Sequence, residues 1–260
     1  MRRGIGRLRA GGSSVDTDAA AWAAAVVSNG GTYSASTLAA VSTFCASAKA
    51  SGYWTRLNRI NLFCGNQLAA CLVPLKVGGG NSTDTNVNFV AGDYSEATGL
   101  TGNGTTKYLR TGLVPSASLT LNNTHLASYN RANSNLHQGT ALTFDLLMQV
   151  GNIFSDQYDN ATGRVTGAAS AVGFGLGSRT SSTSHTVYLN GSQIATNATS
   201  AGTLPTVETY VFGLNSAGSP SNITTGPCGG YSIGDGLSSA DVTAYYTHIQ
   251  TFQTALGRQV

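Results

Sequence analysis

Charge is scarce in this chain: 10% of its 260 residues are Asp, Glu, Lys or Arg, where a soluble domain carries about a quarter. Glutamate is almost missing, with Glu96 and Glu208 alone and not paired within one element. That removes the simplest way to flank a glycosidic bond with two carboxylates. The four cysteines, Cys45, Cys64, Cys71 and Cys228, have neither CxxC spacing nor an accompanying His pair, which argues against a zinc site. Contexts such as STFCAS, LFCGN and LAACLV read as buried free thiols, with a Cys64–Cys71 disulfide as the alternative. His125, His137, His185 and His248 form no HxH or HExxH pattern, so their default role is structural hydrogen bonding. No GxSxG elbow, no GxxxxGK[ST] loop and no dinucleotide fingerprint on a βαβ unit is present. No cofactor is expected. No run of 18 apolar residues occurs, so no membrane insertion is expected. The start, MRRGIGRLRAGG, has the charge of a secretory leader without its apolar stretch, which argues against classical secretion.

What is present is uncharged and polar. With 41% hydrophobic residues the chain is globular, so Ser, Thr, Asn and Gly must cover its surface. Such a surface suits a particle coat or an extracellular module. Seven Asn-x-Ser/Thr triplets follow from that same composition. Arg2, Arg3, Arg7 and Arg9 make residues 1–14 a basic arm without an acidic residue. It reads as an anchor onto a partner protein, or as a solvated terminus; nucleic acid is the weaker expectation.

Three regions follow the arm. Residues 15–87 carry helical signals. Asp16 or Asp18 caps an alanine-rich helix stopped by Gly30, and Ser34 or Ser36 caps a second one ended by Gly52. A short strand is expected over 60–63 and a helical turn over 67–72. Residues 88–112, NFVAGDYSEATGLTGNGTTKYLRTG, then read as tight turns between very short strands. They form the seam with a region, 88–260, of strand-length segments: THLASYN, ALTFDLLMQV, VGFGLG, HTVYLNGSQIAT, ETYVFGLN and GYSIGDG. In the fourth, Asn190 and Gly191 suit a type I′ turn. GFGLGS sits among strands with no helix after it, so it reads as a flat strand with close backbone packing. The chain ends in an amphipathic helix over 238–257, with a Ser238/Asp241 capping box and an apolar stripe of Val242, Tyr245, Tyr246, Ile249, Phe252 and Leu256. The fold expected is mainly β, a two-sheet antiparallel jelly-roll sandwich with an N-terminal helical segment. No linker separates the helical segment from the strands, so the two are expected to share one core.

Binding, if present, is expected from aromatic rings on turns, which can stack on the apolar face of a sugar. Tyr94, Tyr108, Tyr129, Tyr158 and Tyr188 are candidates by context; Tyr188 and Tyr210 lie inside strands and read rather as core. Asp93 and Tyr94 stand out in the seam, and Asp93, Tyr94, Tyr108 and Tyr158 are the expected glycan or partner contacts. In SDQYDN, the oxygen donors Asp156, Asp159 and Asn160 are a weak Ca²⁺ candidate, too few for the six to eight ligands the ion takes. Asp145, Asp156, Asp159 and Asp235 remain as isolated acids, better explained by turns than by catalysis.

Three stretches together resemble a known group. AAAVVSNGGTYSASTLAAVSTFCASAKASGYWTRLNRINLFCG, followed by the seam, looks like a module of structural proteins of tailed bacteriophages and prophages. GFGLGSRTSSTSHTVYLNGSQIAT and GDGLSSADVTAYYTHIQTFQTALGR look like the concanavalin A-like sandwich such virion proteins carry. The resemblance covers about residues 18–258. It implies a jelly roll without catalytic residues, located in a virion assembled in the host cytoplasm, as a tail-fibre, receptor-binding or capsid-surface protein. It further implies a homo-oligomer that meets other virion proteins through its arm and sandwich surface and can contact host glycans. The ExDxxE carboxylates of glucanases with this fold are missing, as are the metal ligands of the plant lectins. A free carbohydrate-binding module is the first alternative and a glycan depolymerase the second.

Overall fold

The computed structural model describes residues 14–143, 145–158, 162–167 and 172–260. Its elements run α1 (Thr17–Ser28), α2 (Ala35–Ala50), β1 (Leu57–Asn61), α3 (Leu68–Cys71), β2 (Thr85–Val87), β3 (Tyr94–Ser95), β4 (Gly99–Thr101), β5 (Tyr108–Arg110) and α4 (Pro115–Ser118). There follow β6 (Thr124–Asn130), β7 (Leu136–Thr140), β8 (Leu146–Val150), β9 (Phe154–Gln157), β10 (Val165–Thr166), β11 (Gly173–Ser181) and β12 (Ser184–Leu189). The last elements are β13 (Ser192–Asn197), β14 (Tyr210–Val211), β15 (Gly213–Ser216), β16 (Ser219–Ser221), β17 (Pro227–Gly234) and α5 (Ser239–Ala255). The first sheet is ordered β13-β12-β11-β6-β17-β4-β3, with β1 also on β17; the second is β10-β9-β8-β7-β14-β5-β2, with the β15–β16 hairpin off its path. Neighbours along both paths are antiparallel. The protein is a two-sheet β-sandwich.

The helices form a third layer. Side chains alternate across a strand, and β6 sends Leu126 and Ser128 toward the second sheet but Ala127 and Tyr129 toward the helices. The helix-side cluster joins Trp22, Phe44 and Tyr53 to Tyr245, Ile249 and Phe252 of α5 and to Phe174, Leu176 and Tyr188 of the sheet. The centre of the first sheet is therefore covered on both faces, which is why all seven residues of β6 are buried. Tyr245 makes the junction, with ring centroids 5.1 Å from Tyr53, 6.0 Å from Phe44 and 4.8 Å from Phe174.

Local chemistry sets the ends of these elements. Asp16 accepts from the Asp18 amide and Ser34 from the Thr37 amide, fixing the starts of α1 and α2. The Ser238/Asp241 capping box closes reciprocally, and Leu237 and Val242 of the expected staple are buried. Asn190 and Gly191 take φ values of 50° and 79°, turning β12 into β13. The flat glycine strand is β11. A Cβ on Gly177 would sit 2.1 Å from Ser155 Oγ and one on Gly175 2.5 Å from Val150, so the sheets close to a distance that only glycine allows here.

Two buried guanidiniums lock the periphery to this frame. Arg59 donates to Asp84 Oδ1 at 2.7 Å, to Tyr231 Oη at 2.8 Å and to the Val77 and Asn81 carbonyls. Arg258 donates from Nε to Gln253 Oε1, and from its two terminal nitrogens to the carbonyls of Phe63, Glu96, Leu62 and Gly229. All five of its N–H groups are thereby used. The four cysteines are free and buried, and burial pushes the thiols of Cys45, Cys64 and Cys228 up to about 12. The first strand differs from expectation, lying over Leu57–Asn61 instead of 60–63; Phe63 has φ 42°, which ends the extended run.

Candidate functional site

The expected contact residues do not form one surface. Tyr94 is buried and donates from its hydroxyl to the Gly65 carbonyl at 2.6 Å. Tyr158 is fully buried in the core between the sheets, and Tyr129 and Tyr188 are buried on the helix side of the first sheet. Tyr94, Tyr129 and Tyr158 are corrected from contact candidates to core residues, whereas Tyr188 is buried as its place inside a strand implies: each ring lies where a sheet face is covered, which no local turn context reveals. Asp93 is half-buried and tied down by Lys107 Nζ at 2.6 Å and by the Val90 amide at 2.7 Å. Tyr108 alone keeps part of its ring in solvent.

Of the Ca²⁺ candidates, Asp159 and Asn160 lie outside the described residues. Asp156 is fully buried, and its Oδ2 accepts from Arg164 Nε at 2.9 Å and Nη2 at 2.6 Å, so a guanidinium stands where the ion would bind. Among the described residues no three His, Cys, Asp or Glu side chains converge as a metal site. The arm residues Arg2, Arg3, Arg7 and Arg9 also lie outside the described residues.

Tyr108 opens onto a groove of about 510 Å³ on the outer face of the second sheet. In β5 and β14, Leu109 and Val211 point into the inter-sheet core, so Tyr108, Arg110 and Tyr210 must point outward. Tyr210 is paired in register with Arg110. Its ring packs 4.8 Å from that of Tyr108 at 33°, which backs the half-exposed ring with a buried one. Burial pushes the Tyr210 phenol above its ordinary pKa. Arg110 donates from Nε to Glu208 Oε1 at 2.7 Å, with Nη2 at 2.5 Å from the same oxygen. Glu208 Oε2 accepts from the Gly112 amide at 2.8 Å. Asn215 forms the far wall, donating to the Glu208 carbonyl at 2.8 Å and accepting from the Gly218 amide at 2.7 Å.

Over β7–β9 that face is occupied by packed side chains. His137 is buried, its ring 6.4 Å from that of Phe154, and Arg164 lies 4.2 Å over the same phenyl ring. Burial pushes His137 down to about 4. His125 is likewise structural: its ring nitrogens meet the Asp235 carbonyl at 2.6 Å and Ser232 Oγ at 3.0 Å, and burial pushes it down to about 4. His248 pairs with the Tyr53 hydroxyl at 3.0 Å, and His185 lies 3.3 Å from Ser155 Oγ.

Arg110, Glu208, Tyr210 and Asn215 were not among the expected contacts. The signal was available in part, since Tyr108 and Arg110 are two residues apart on one strand face, and Glu208 stands two residues before Tyr210. That the two short strands are neighbours is a property of the fold.

No family model matches the chain, and no curated protein matches it. Among solved structures, it is similar to domain 4 of AbnA, a GH43 extracellular arabinanase from Geobacillus stearothermophilus, at 13% identity over 64% of this chain and 82% of that one, with a TM-score of 0.39. It is also similar to the NanB sialidase of Streptococcus pneumoniae, at 17% identity over 55% of this chain and 26% of that one (TM-score 0.43). Trypanosoma rangeli sialidase is similar at 14% over 74% and 32%, with a TM-score of 0.41. The chain thus spans about a third or less of the length of either sialidase. At such identities no ligand or activity carries over.

Proposed function

We propose that this chain is a non-enzymatic β-sandwich that holds glycan in the Tyr108 groove, and that it does so as a structural, host-contacting component of a tailed-phage particle. The observation that carries the glycan reading is the half-exposed Tyr108 ring, held from behind by Tyr210 and flanked by Arg110 and Glu208. A fixed phenol offers a sugar an apolar platform with little side-chain entropy left to lose, while neighbouring polar groups read hydroxyls. Support for the absence of catalysis comes from the acids. Glu208 and Asp156 are each clamped by an arginine, and Glu96 accepts from the Thr37 hydroxyl and the Gly65 amide. A carboxylate held in this way is poorly placed to trade protons with a leaving group. Support for the particle comes from the sequence resemblance over residues 18–258 and from the low charge.

Incubation with purified bacterial surface polysaccharides tests both halves of the activity statement. Retention of the protein without release of reducing ends is expected, whereas release that stops in Glu208→Gln or Asp156→Asn would make it a depolymerase. Immunogold labelling of purified particles tests the location; its failure with glycan binding intact would leave a free carbohydrate-binding module.

A further inference from the structure

The charges in the groove bear on which glycans it can take. Among the described residues, Arg110 and Glu208 are the only charged ones lining it, and they face each other at 2.5 Å. Their charges cancel. The Glu208 side chain is only 13% exposed, so solvent does little to screen its field. The Nε–Nη2 edge of Arg110, one of the two edges on which a guanidinium can grip a carboxylate in a fork, is spent on Glu208. What Arg110 keeps is its two Nη1 hydrogens and the second hydrogen on Nη2, donors on a cation whose charge is already balanced. Asn81 donates to Thr85 Oγ1 at 3.0 Å, leaving its amide oxygen as an acceptor at the rim, and the Tyr108 hydroxyl can donate or accept. An incoming carboxylate, sulfate or phosphate would gain no net attraction here and would stand beside an anion that cannot move away.

Resting on the glycan reading above, we propose that the groove selects uncharged, hydroxyl-rich saccharides and rejects sialylated, uronic or sulfated ones, with Glu208 as the residue that sets this preference. Glu208 does so by neutralising Arg110, so its amide variant converts the site into one with an unbalanced cation. Recognition of a neutral sugar through a ring face and hydroxyl contacts is insensitive to salt, since no counter-ion is displaced.

The test is a glycan array of matched neutral and acidic members, with lactose-terminated against sialyllactose-terminated glycans and galactan against galacturonan, probed with the wild type, Glu208→Gln and Tyr108→Ala. Unfolding midpoints recorded for all three confirm folding. The wild type should favour the neutral member of each pair by about tenfold, as expected from a like-charge penalty of that order. Glu208→Gln should narrow or reverse that ratio, and the remaining acidic-glycan binding should weaken with added NaCl. Preference of the wild type for acidic members, lost in Tyr108→Ala, would overturn the neutral-ligand inference while leaving the groove as the site. Binding that Tyr108→Ala does not change, or no binding to any member, would overturn the groove reading and this inference with it.

Discussion

Arg110 and Glu208 lie 98 residues apart in sequence and meet through a single carboxylate oxygen, which accepts from Arg110 Nε at 2.7 Å while Nη2 lies 2.5 Å away. The pair joins β5 to the residue pair preceding β14 and holds the side of the groove on which Tyr108 stands. Because the Arg110 side chain is 49% exposed, the contact adds little to stability; its consequence is the shape and neutrality of the groove. Removing the Tyr108 ring should therefore separate binding from folding. Tyr108→Ala should lower glycan retention by about tenfold, a stacking-sized loss, and isothermal titration beside a thermal melt checks that the midpoint moves far less than it would for a core truncation.

Arg258 should behave in the opposite way. Its five donors satisfy carbonyls from the segment after β1, from the seam and from β17, and the Gln253 side chain. Arg258→Met removes all five donors; the Gly229 carbonyl keeps Gln253 Nε2 at 3.2 Å, but the loss at the other acceptors should cost at least about 3 kcal/mol. Arg258→Lys should recover only part of that, since an ammonium has three donors and no planar fork. Urea midpoints of the two variants check the order.

The sheet spacing at β11 gives a paired prediction. Gly177→Ala places a methyl group 2.1 Å from Ser155 Oγ and should destabilise by about 1–3 kcal/mol through overpacking. Ser155→Ala removes the opposing oxygen, so the double variant should recover part of the loss. A double-mutant cycle on unfolding free energies measures that coupling, and simple additivity would contradict the close approach.

Acidification should reveal the buried imidazoles. His125 and His137 fall from an ordinary 6.5 to about 4 because burial penalises the charged ring. Between those values the unfolded chain binds more protons than the folded one. Their contribution to stability is complete above pH 6.5, is lost as pH falls, and levels off below about 4. His125→Gln should flatten the pH dependence of the unfolding free energy across that window; an unchanged slope would contradict a neutral buried ring.

Much of the scaffold is legible in the residues themselves. Ser238 with Asp241, the Asn190-Gly191 turn and the Ser34 cap are local signals, and each closes as its chemistry directs. β7 is harder, because LHQGT alternates poorly: Gln138 faces the inter-sheet core and is accommodated there by Ser128 at 2.6 Å and the Ser232 carbonyl at 3.1 Å. A polar residue with partners from two distant strands reads as surface until those strands are in place. The groove is hidden for the same reason. Tyr94, Tyr108 and Tyr158 all lie among small and polar turn-forming residues, and only the layer each ring enters separates the one at the surface from the two in the core. The helix-side layer also explains why Tyr129 and Tyr188 are covered: the helices lie over the strands that carry them.

The location of binding is the claim on which the rest depends, and amide chemical-shift mapping tests it most directly. Titration of the labelled protein with the glycan retained most strongly on the array should shift Tyr108, Arg110, Glu208, Asn215 and Gly218 together, at the groove between β5 and the β15–β16 hairpin. Shifts confined to the α2–α5 surface or to the β13 edge, with those five unmoved, would contradict it.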